Sequence, residues 1–211
     1  MNSSVYALAI AGNDLYVGGE FITAGGATVN RVAKWDGRNW FALGSGVDNT
    51  VYALAVVPRN GGGFDLYAGG EFTTAGGVTV NRAARWNGSE WSALGSGMND
   101  WIRALAVIGN DLYAGGAFTS AGGSVANYIA RWNGATWSPL GSGMNHWVRA
   151  LTVSGADLYA GGGFTVAGGI NANSVAKWNG TQWSALGSGM VGEVYTLAVN
   201  GANLYAGGWF T

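Results

Sequence analysis

The side chains best suited to hold a ligand stand two residues apart and come in two pairs, Trp101 with Arg103 and Trp147 with Arg149. Each pair follows a polar dipeptide, Asn99-Asp100 in one case and Asn145-His146 in the other. Tryptophan and arginine dominate binding hot spots, and an indole beside polar groups suits the face of a sugar ring. Trp101, Arg103, His146, Trp147 and Arg149 are therefore the candidate ligand-binding residues. The competing reading is that both tryptophans cap a hydrophobic core. His146 is the single histidine and there is no cysteine. That excludes disulfides, thiolate metal sites and multi-histidine clusters, so neither a metal nor a cofactor is expected. A lone histidine in such a stretch reads as a solvated loop residue.

Glu20 and Glu71 share one slot of a recurring pattern and are the only arrangement with the look of an acid/base pair. They read more simply as loop-rim residues. No Ser/His/Asp set, phosphate-binding loop or calcium loop appears. The inventory points away from an enzyme.

These residues sit on a repeating frame. A block running V-x-A-L-A-V, D-L-Y-A-G-G-x-F, A-G-G-x-x-x-N-x-x-A-[KR]-W-[DN]-G-x-x-W and S-A-L-G-S-G-M recurs along the chain. Its Leu-Tyr pair falls at Tyr16, Tyr67, Tyr113, Tyr159 and Tyr205, with spacings of 51, 46, 46 and 46 residues. A fixed period means one structural unit stacked on copies of itself, because a lone unit cannot bury its own apolar faces. The repeats run 5–50, 51–101, 102–147 and 148–193, with a half repeat at 194–211, and together they read as a single domain over 1–211.

Within one repeat, Ile102 to Val107 and Leu112 to Gly116 are short apolar runs around a Gly-Asn-Asp turn, the pattern of a hairpin. Tyr128 to Trp132 and Trp137 to Leu140 flank Asn133-Gly134-Ala135-Thr136, a second hairpin with a four-residue loop. The four strands are A, B, C and D in chain order. The loop length places Trp132 opposite Trp137, and likewise Trp35 opposite Trp40, Trp86 opposite Trp91 and Trp178 opposite Trp183. Residues copied in every unit serve what every unit must do, so these indoles read as packing rather than as a row of sugar platforms. Strand A is apolar on both sides of its pleat (Val51, Ala53 and Ala55 against Leu54 and Val56), as expected for a sheet covered on both faces. The small residues of A and B suit backbones that approach closely. The fold class is all-β: a β-propeller of four-stranded antiparallel blades, four full blades and a half blade.

The double glycine closing strand B (Gly18-Gly19, Gly69-Gly70, Gly115-Gly116, Gly161-Gly162 and Gly207-Gly208) and the paired aromatics of strands C and D resemble a kelch-type repeat. The first aromatic is Trp where that family usually has Tyr, and the gap between the two is shorter. The resemblance implies a β-propeller. The family also includes a copper oxidase, whose Cys–Tyr crosslink and histidine ligands have no counterpart here. Fold does not supply function.

Strands alternate in direction, so the B–C and D–A connections emerge together. The B–C connection is long and the D–A connection carries the most variable residues, so the functional face is expected to be theirs. Before strand A the repeats carry Ser4, Thr50, Trp101, Trp147 and Glu193, and two positions on Tyr6, Tyr52, Arg103, Arg149 and Tyr195. The recurring Asn30, Asn81, Asn127 and Asn173 are expected to tie down the B–C loop. Asp14, Asp65, Asp111 and Asp157 are expected to do the same at the A–B turn.

Only 10% of residues are charged and the net charge is -1, so there is no electrostatic footprint for nucleic acid or anionic lipid. No apolar run approaches a membrane span. The start, Met1-Asn2-Ser3-Ser4, lacks the features of an export signal, and the compartment is left open. Three roles fit: a non-catalytic binding module for protein or carbohydrate, a structural scaffold (natural, excised or engineered), and, more narrowly, lectin-like binding through the loop tryptophans. The half repeat exposes a strand edge, for which self-association is the expected remedy.

Overall fold

The computed structural model describes residues 1–59 and 61–211. All its regular structure is β. In the first repeat, strands A to D are Val5–Ala11, Asp14–Gly19, Val32–Trp35 and Trp40–Ala42. In the second they are Val51–Pro58, Phe64–Gly70, Ala83–Trp86 and Trp91–Ala93. The third has Ile102–Ile108, Asp111–Gly116, Ile129–Trp132 and Trp137–Pro139. The fourth has Val148–Ser154, Asp157–Gly162, Val175–Trp178 and Trp183–Ala185. Each repeat is one antiparallel sheet with strands in the order A-B-C-D, and Gly192–Asn200 with Asn203–Phe210 forms a fifth A–B pair. These are propeller blades, four complete and one half. They fall into two compact units, Met1–Ile102 and Arg103–Thr211. The extra residues of the second A–B turn, Pro58 to Gly63, include Asn60, which lies outside the described residues.

The double glycine exists because two things press on strand B. A Cβ on Gly18 would lie 2.5 Å from Val51 Cγ1 of the next blade, and one on Gly19 would lie 2.1 Å from the carbonyl oxygen of Ser4. Strand A is bulged at this point. Val51 pairs with Gly70 and Ala53 with Gly69, which leaves Tyr52 out of register. The same skip omits Tyr6, Arg149 and Tyr195 in their blades. A bulge re-aims the side chain it carries.

The tryptophan pairs are in the register that the loop length required. Their ring centroids lie 5.1–5.4 Å apart with tilted planes. Trp86, Trp91, Trp132, Trp137 and Trp183 are buried, and the others are half-buried. The indole N–H of Trp91 donates to the Leu43 carbonyl of the preceding blade at 2.8 Å, and Trp183 does the same to Leu140 at 3.0 Å. These indoles are the joints between blades. In the first unit the joint is filled by Val32, Leu43, Val51, Leu66, Phe72 and Trp91. In the second, Ile129, Leu140, Val148, Leu158, Phe164 and Trp183 take the same roles.

The B–C connections hold a feature the strand pattern did not reveal. Each contains a small hairpin, Thr23–Ala24 with Ala27–Thr28 in the first blade, repeated in the other three. Gly25 and Gly26 both have positive φ, 56° and 88°, as a two-residue hairpin turn requires. Phe21, Phe72, Phe118 and Phe164 are fully buried beside these hairpins.

The strand A positions divide as a doubly covered strand should in the second blade, where Val51, Ala53 and Ala55 are buried and Leu54 and Val56 are half-buried. In the first blade one face of strand A is open, with Leu8 63% and Ile10 74% exposed.

Candidate functional site

The loops at one end of each blade are held by a small set of side chains. Asn30, Asn81, Asn127 and Asn173 each donate through Nδ2 to a serine carbonyl of the following D–A loop, at 2.9–3.1 Å. This is the tie expected of them. A second tie links successive blades. Asp48 accepts the backbone N–H groups of Thr73 and Thr74 at 2.8 and 2.9 Å and the Thr73 hydroxyl at 2.7 Å. Asn145 accepts from Thr165 and Val166 in the same way in the second unit. Burial works to raise the Asp48 carboxyl, but the bonds from Thr74 and Thr73 outweigh it and hold its pKa below the usual range.

The aspartates of the A–B turn do something other than expected. Asp14 pairs with Lys34 at 3.2 Å, Asp65 with Arg85 at 2.9 Å, Asp111 with Arg131 at 2.7 Å and Asp157 with Lys177 at 3.1 Å. Each bridges strand B to the basic residue of strand C, two strands that lie side by side, so the K/R of the motif is its partner. The turn-capping role belongs to the C–D loop. There Asp36, Asn87, Asn133 and Asn179 accept two backbone N–H groups each.

Of the five candidate residues, His146, Trp147 and Arg149 come together in the second unit. The His146 ring stacks with Trp147 at 5.7 Å and with Tyr128 at 6.4 Å. The Arg149 guanidinium lies 5.4 Å from the Trp147 ring centre and 5.1 Å from that of Tyr195. It also forms an ion pair with Glu193 at 2.9 Å. Both partners of that pair are partly exposed, so the pair contributes at most about 1 kcal/mol. Its effect is to position: arginine is held between two aromatic faces and a carboxylate, on the bulge of strand A. His146 is exposed, while Trp147 and Arg149 are half-buried. Trp101 is the last residue but one of the first unit, half-buried, its backbone N–H donated to Asp100 Oδ1 at 2.8 Å. Arg103 opens the second unit, also half-buried.

The equivalent positions of the first unit carry a different contact. The Tyr6 and Tyr52 rings meet at a tilt across the joint, with centres 5.4 Å apart. The Tyr6 hydroxyl donates to Glu20 at 2.9 Å, and that of Tyr52 to Glu71. Each glutamate is thus the acceptor of a tyrosine hydroxyl. In the fourth blade their slot is Gly163. A Cβ there would lie 3.1 Å from both Glu193 Oε1 and His146 Nδ1, so the missing side chain makes room for both. Beside it is a cleft of about 340 Å³ lined by Gly163, Thr165, Asn173, Ser174, Met190 and Glu193, among others.

Tyr128 was not among the candidates. Its slot holds Arg31, Arg82, Tyr128 and Ser174, all with left-handed backbone, φ 70°, 74°, 64° and 62°. Non-glycine residues are rare there, which marks the slot as constrained. The clue in the sequence is that this position varies between repeats while the asparagine before it does not. Among the described residues no three His, Cys, Asp or Glu side chains cluster, and no helix is long and apolar enough to cross a membrane.

No family model matches the chain and no curated protein sequence is similar to it. Among solved structures it is similar to the computationally designed Ika8 protein, at 17% identity and a TM-score of 0.54 over 98% of this chain and 68% of that one. It is also similar to the computationally designed Ika4 protein, at 18% identity and a TM-score of 0.47 over 84% and 92% of the two chains. At this identity the likeness to Ika8 shows the fold.

Proposed function

We propose that the chain is a non-catalytic propeller-repeat scaffold, built to stack blades and hold one loop end ready for interaction. The observation that carries this is the use of the repeated residues. The indole N–H of Trp91 and that of Trp183 each reach a carbonyl of the preceding blade, and Gly18, Gly115 and Gly161 each seat a valine of the next. The kelch-like double glycine fits this reading, since the absent side chain of its first glycine is what lets blades meet. The variable residues fit it too, for Tyr6 with Tyr52 and Arg149 with Tyr195 and Glu193 join successive A strands. The near-identical repeats and the likeness to a designed protein support an engineered or excised array over one evolved around a ligand.

A second reading has one observation in its favour. Exposed His146, stacked with Trp147 and Tyr128 beside the cleft at Gly163, is a surface on which a sugar or a peptide side chain would sit. Probing a glycan array and a peptide library with the parent chain and with Trp147→Ala separates the two. The scaffold reading expects no ligand retained by the parent and lost by the variant. A glycan or peptide held by the parent and released by Trp147→Ala overturns it.

A further inference from the structure

Every blade joint within a unit is made by one knob and one hole. A Cβ on Gly18 would meet Val51 Cγ1 at 2.5 Å and Leu54 Cδ1 at 3.4 Å. On Gly115 it would meet Val148 at 2.5 Å and Leu151 at 3.4 Å, and on Gly161 it would meet Val194 at 2.6 Å and Leu197 at 3.2 Å. The hole is the first glycine of the strand B pair. The knob is a valine and, three residues on, a leucine of the next strand A. Val51, Val148 and Val194 are wholly buried by this contact.

One knob and one hole of the same series face solvent. The knob is Val5 with Leu8, 42% and 63% exposed. The hole is Gly207, where an added Cβ would meet only Thr196 Cγ2 of its own hairpin, at 2.9 Å. Each carries the polar-aromatic companion that the internal joints use. Tyr6 and Tyr195, on the bulges, are 48% and 49% exposed, and Trp209 beside the hole is 78% exposed.

We propose that the Val5–Leu8 face of one copy seats on the Gly207 face of a second copy, head to tail. The contact continues the blade joint already formed inside each unit, with the same residue types at the same repeat positions. Tyr6 of one copy then meets Tyr195 of the next, as Tyr6 meets Tyr52 within the chain. The contact is heterologous, so each copy has one donor face and one acceptor face, and copies add in a line or close a ring. Two half blades meeting across a two-fold axis would instead place hole against hole, with no knob to fill either. This rests on the reading of the chain as a blade-stacking scaffold.

The test is solution mass by light scattering across a concentration series, without any ligand. The parent chain is expected above the monomer mass. Leu8→Glu removes the knob and Gly207→Val fills the hole, and each is expected to weaken association at least roughly tenfold. Leu8 is exposed, so its variant keeps the circular dichroism of the parent. Tyr195→Glu serves on the hole side should Gly207→Val not fold. An equal mixture of the knob variant and the hole variant is expected to form dimers and stop, because one intact knob meets one intact hole. A parent that stays monomeric overturns the proposal and leaves the scaffold reading standing. So do variants that keep the parent mass, or a mixture that stays monomeric.

Discussion

Trp91→Phe and Trp40→Phe change the same residue of the same motif, but only one of them lies in a blade joint described above. Trp91 is 5% exposed and its N–H donates to Leu43 at 2.8 Å. Replacing it leaves the Leu43 carbonyl buried without that donor, which costs about 1–3 kcal/mol. The smaller ring also leaves unfilled volume between the sheets, worth roughly another 1 kcal/mol. The sum, about 2–4 kcal/mol, corresponds to a fall in Tm of roughly 4–16 °C for a chain of this size. Trp40 is half-buried against Val17, Phe21, Ala24, Val29 and Ala33 of its own blade. Its ring faces its cross-strand partner as Trp91 does, so the pair contact is common to both and cancels in the comparison. Trp40→Phe should then cost about 1 kcal/mol, near 2–4 °C. Calorimetry of both variants, with Trp183→Phe as a repeat of the first, gives the difference. Equal shifts for Trp40→Phe and Trp91→Phe would refute the reasoning, because the stability would then come from the pair within the hairpin and not from the joint.

Gly161→Ala forces a Cβ to within 2.6 Å of Val194 Cγ1, a stiff buried branch, and should destabilise by about 1–3 kcal/mol in denaturant unfolding. Gly207→Ala, which meets only Thr196, should cost distinctly less. Asp36 is held below the ordinary carboxyl range by the backbone N–H groups of Asn39 and Arg38, and Asp48 by Thr74 and Thr73 against the opposing effect of burial. Both are lower in the folded chain than in the unfolded one, so their contribution is present above about pH 4 and is lost as pH falls below it. Urea unfolding at pH 6 and pH 3 should show the loss, and Asp48→Asn should show less of it. Tyr16 is pushed up to about 12 by burial and by the nearby Asp14 carboxylate. A raised phenol favours the fold below its unfolded value near 10 and loses that contribution as pH rises toward 12, so Tyr16→Phe should lose less stability over that interval than the parent.

Most of the fold was legible because a repeat states the same constraint several times. The four-residue C–D loop fixed the tryptophan register, and strand A, apolar on both sides of its pleat, fixed the burial of Val51 and its neighbours. The B–C hairpin was missed because its strands are only two residues long, too short for any periodicity. The Gly-Gly pair at 25–26 was the available signal. The aspartate role was misassigned because turn chemistry was weighed against Asp14 and its equivalents alone. The Lys or Arg of strand C, opposite the tyrosine two residues further along strand B, was the stronger partner. At the candidate site, Trp147 and Arg149 were visible as departures from the repeat. Glu193 and Tyr128 were harder to see, because each is joined to the cluster from a different element, and only the sheet register and the left-handed backbone at Tyr128 bring them in.

Trp91 and Trp183 join blades through their indole N–H groups. Hydrogen exchange at the indole N–H groups, followed by nitrogen-labelled NMR, reads this directly. Trp91 and Trp183, bonded to Leu43 and Leu140 of the preceding blades, should exchange slowly and lose protection only with unfolding of the joint. Trp40, half-buried in its own blade, should exchange much faster. Rapid exchange at Trp91 and Trp183, at the rate of Trp40, would contradict this joining role.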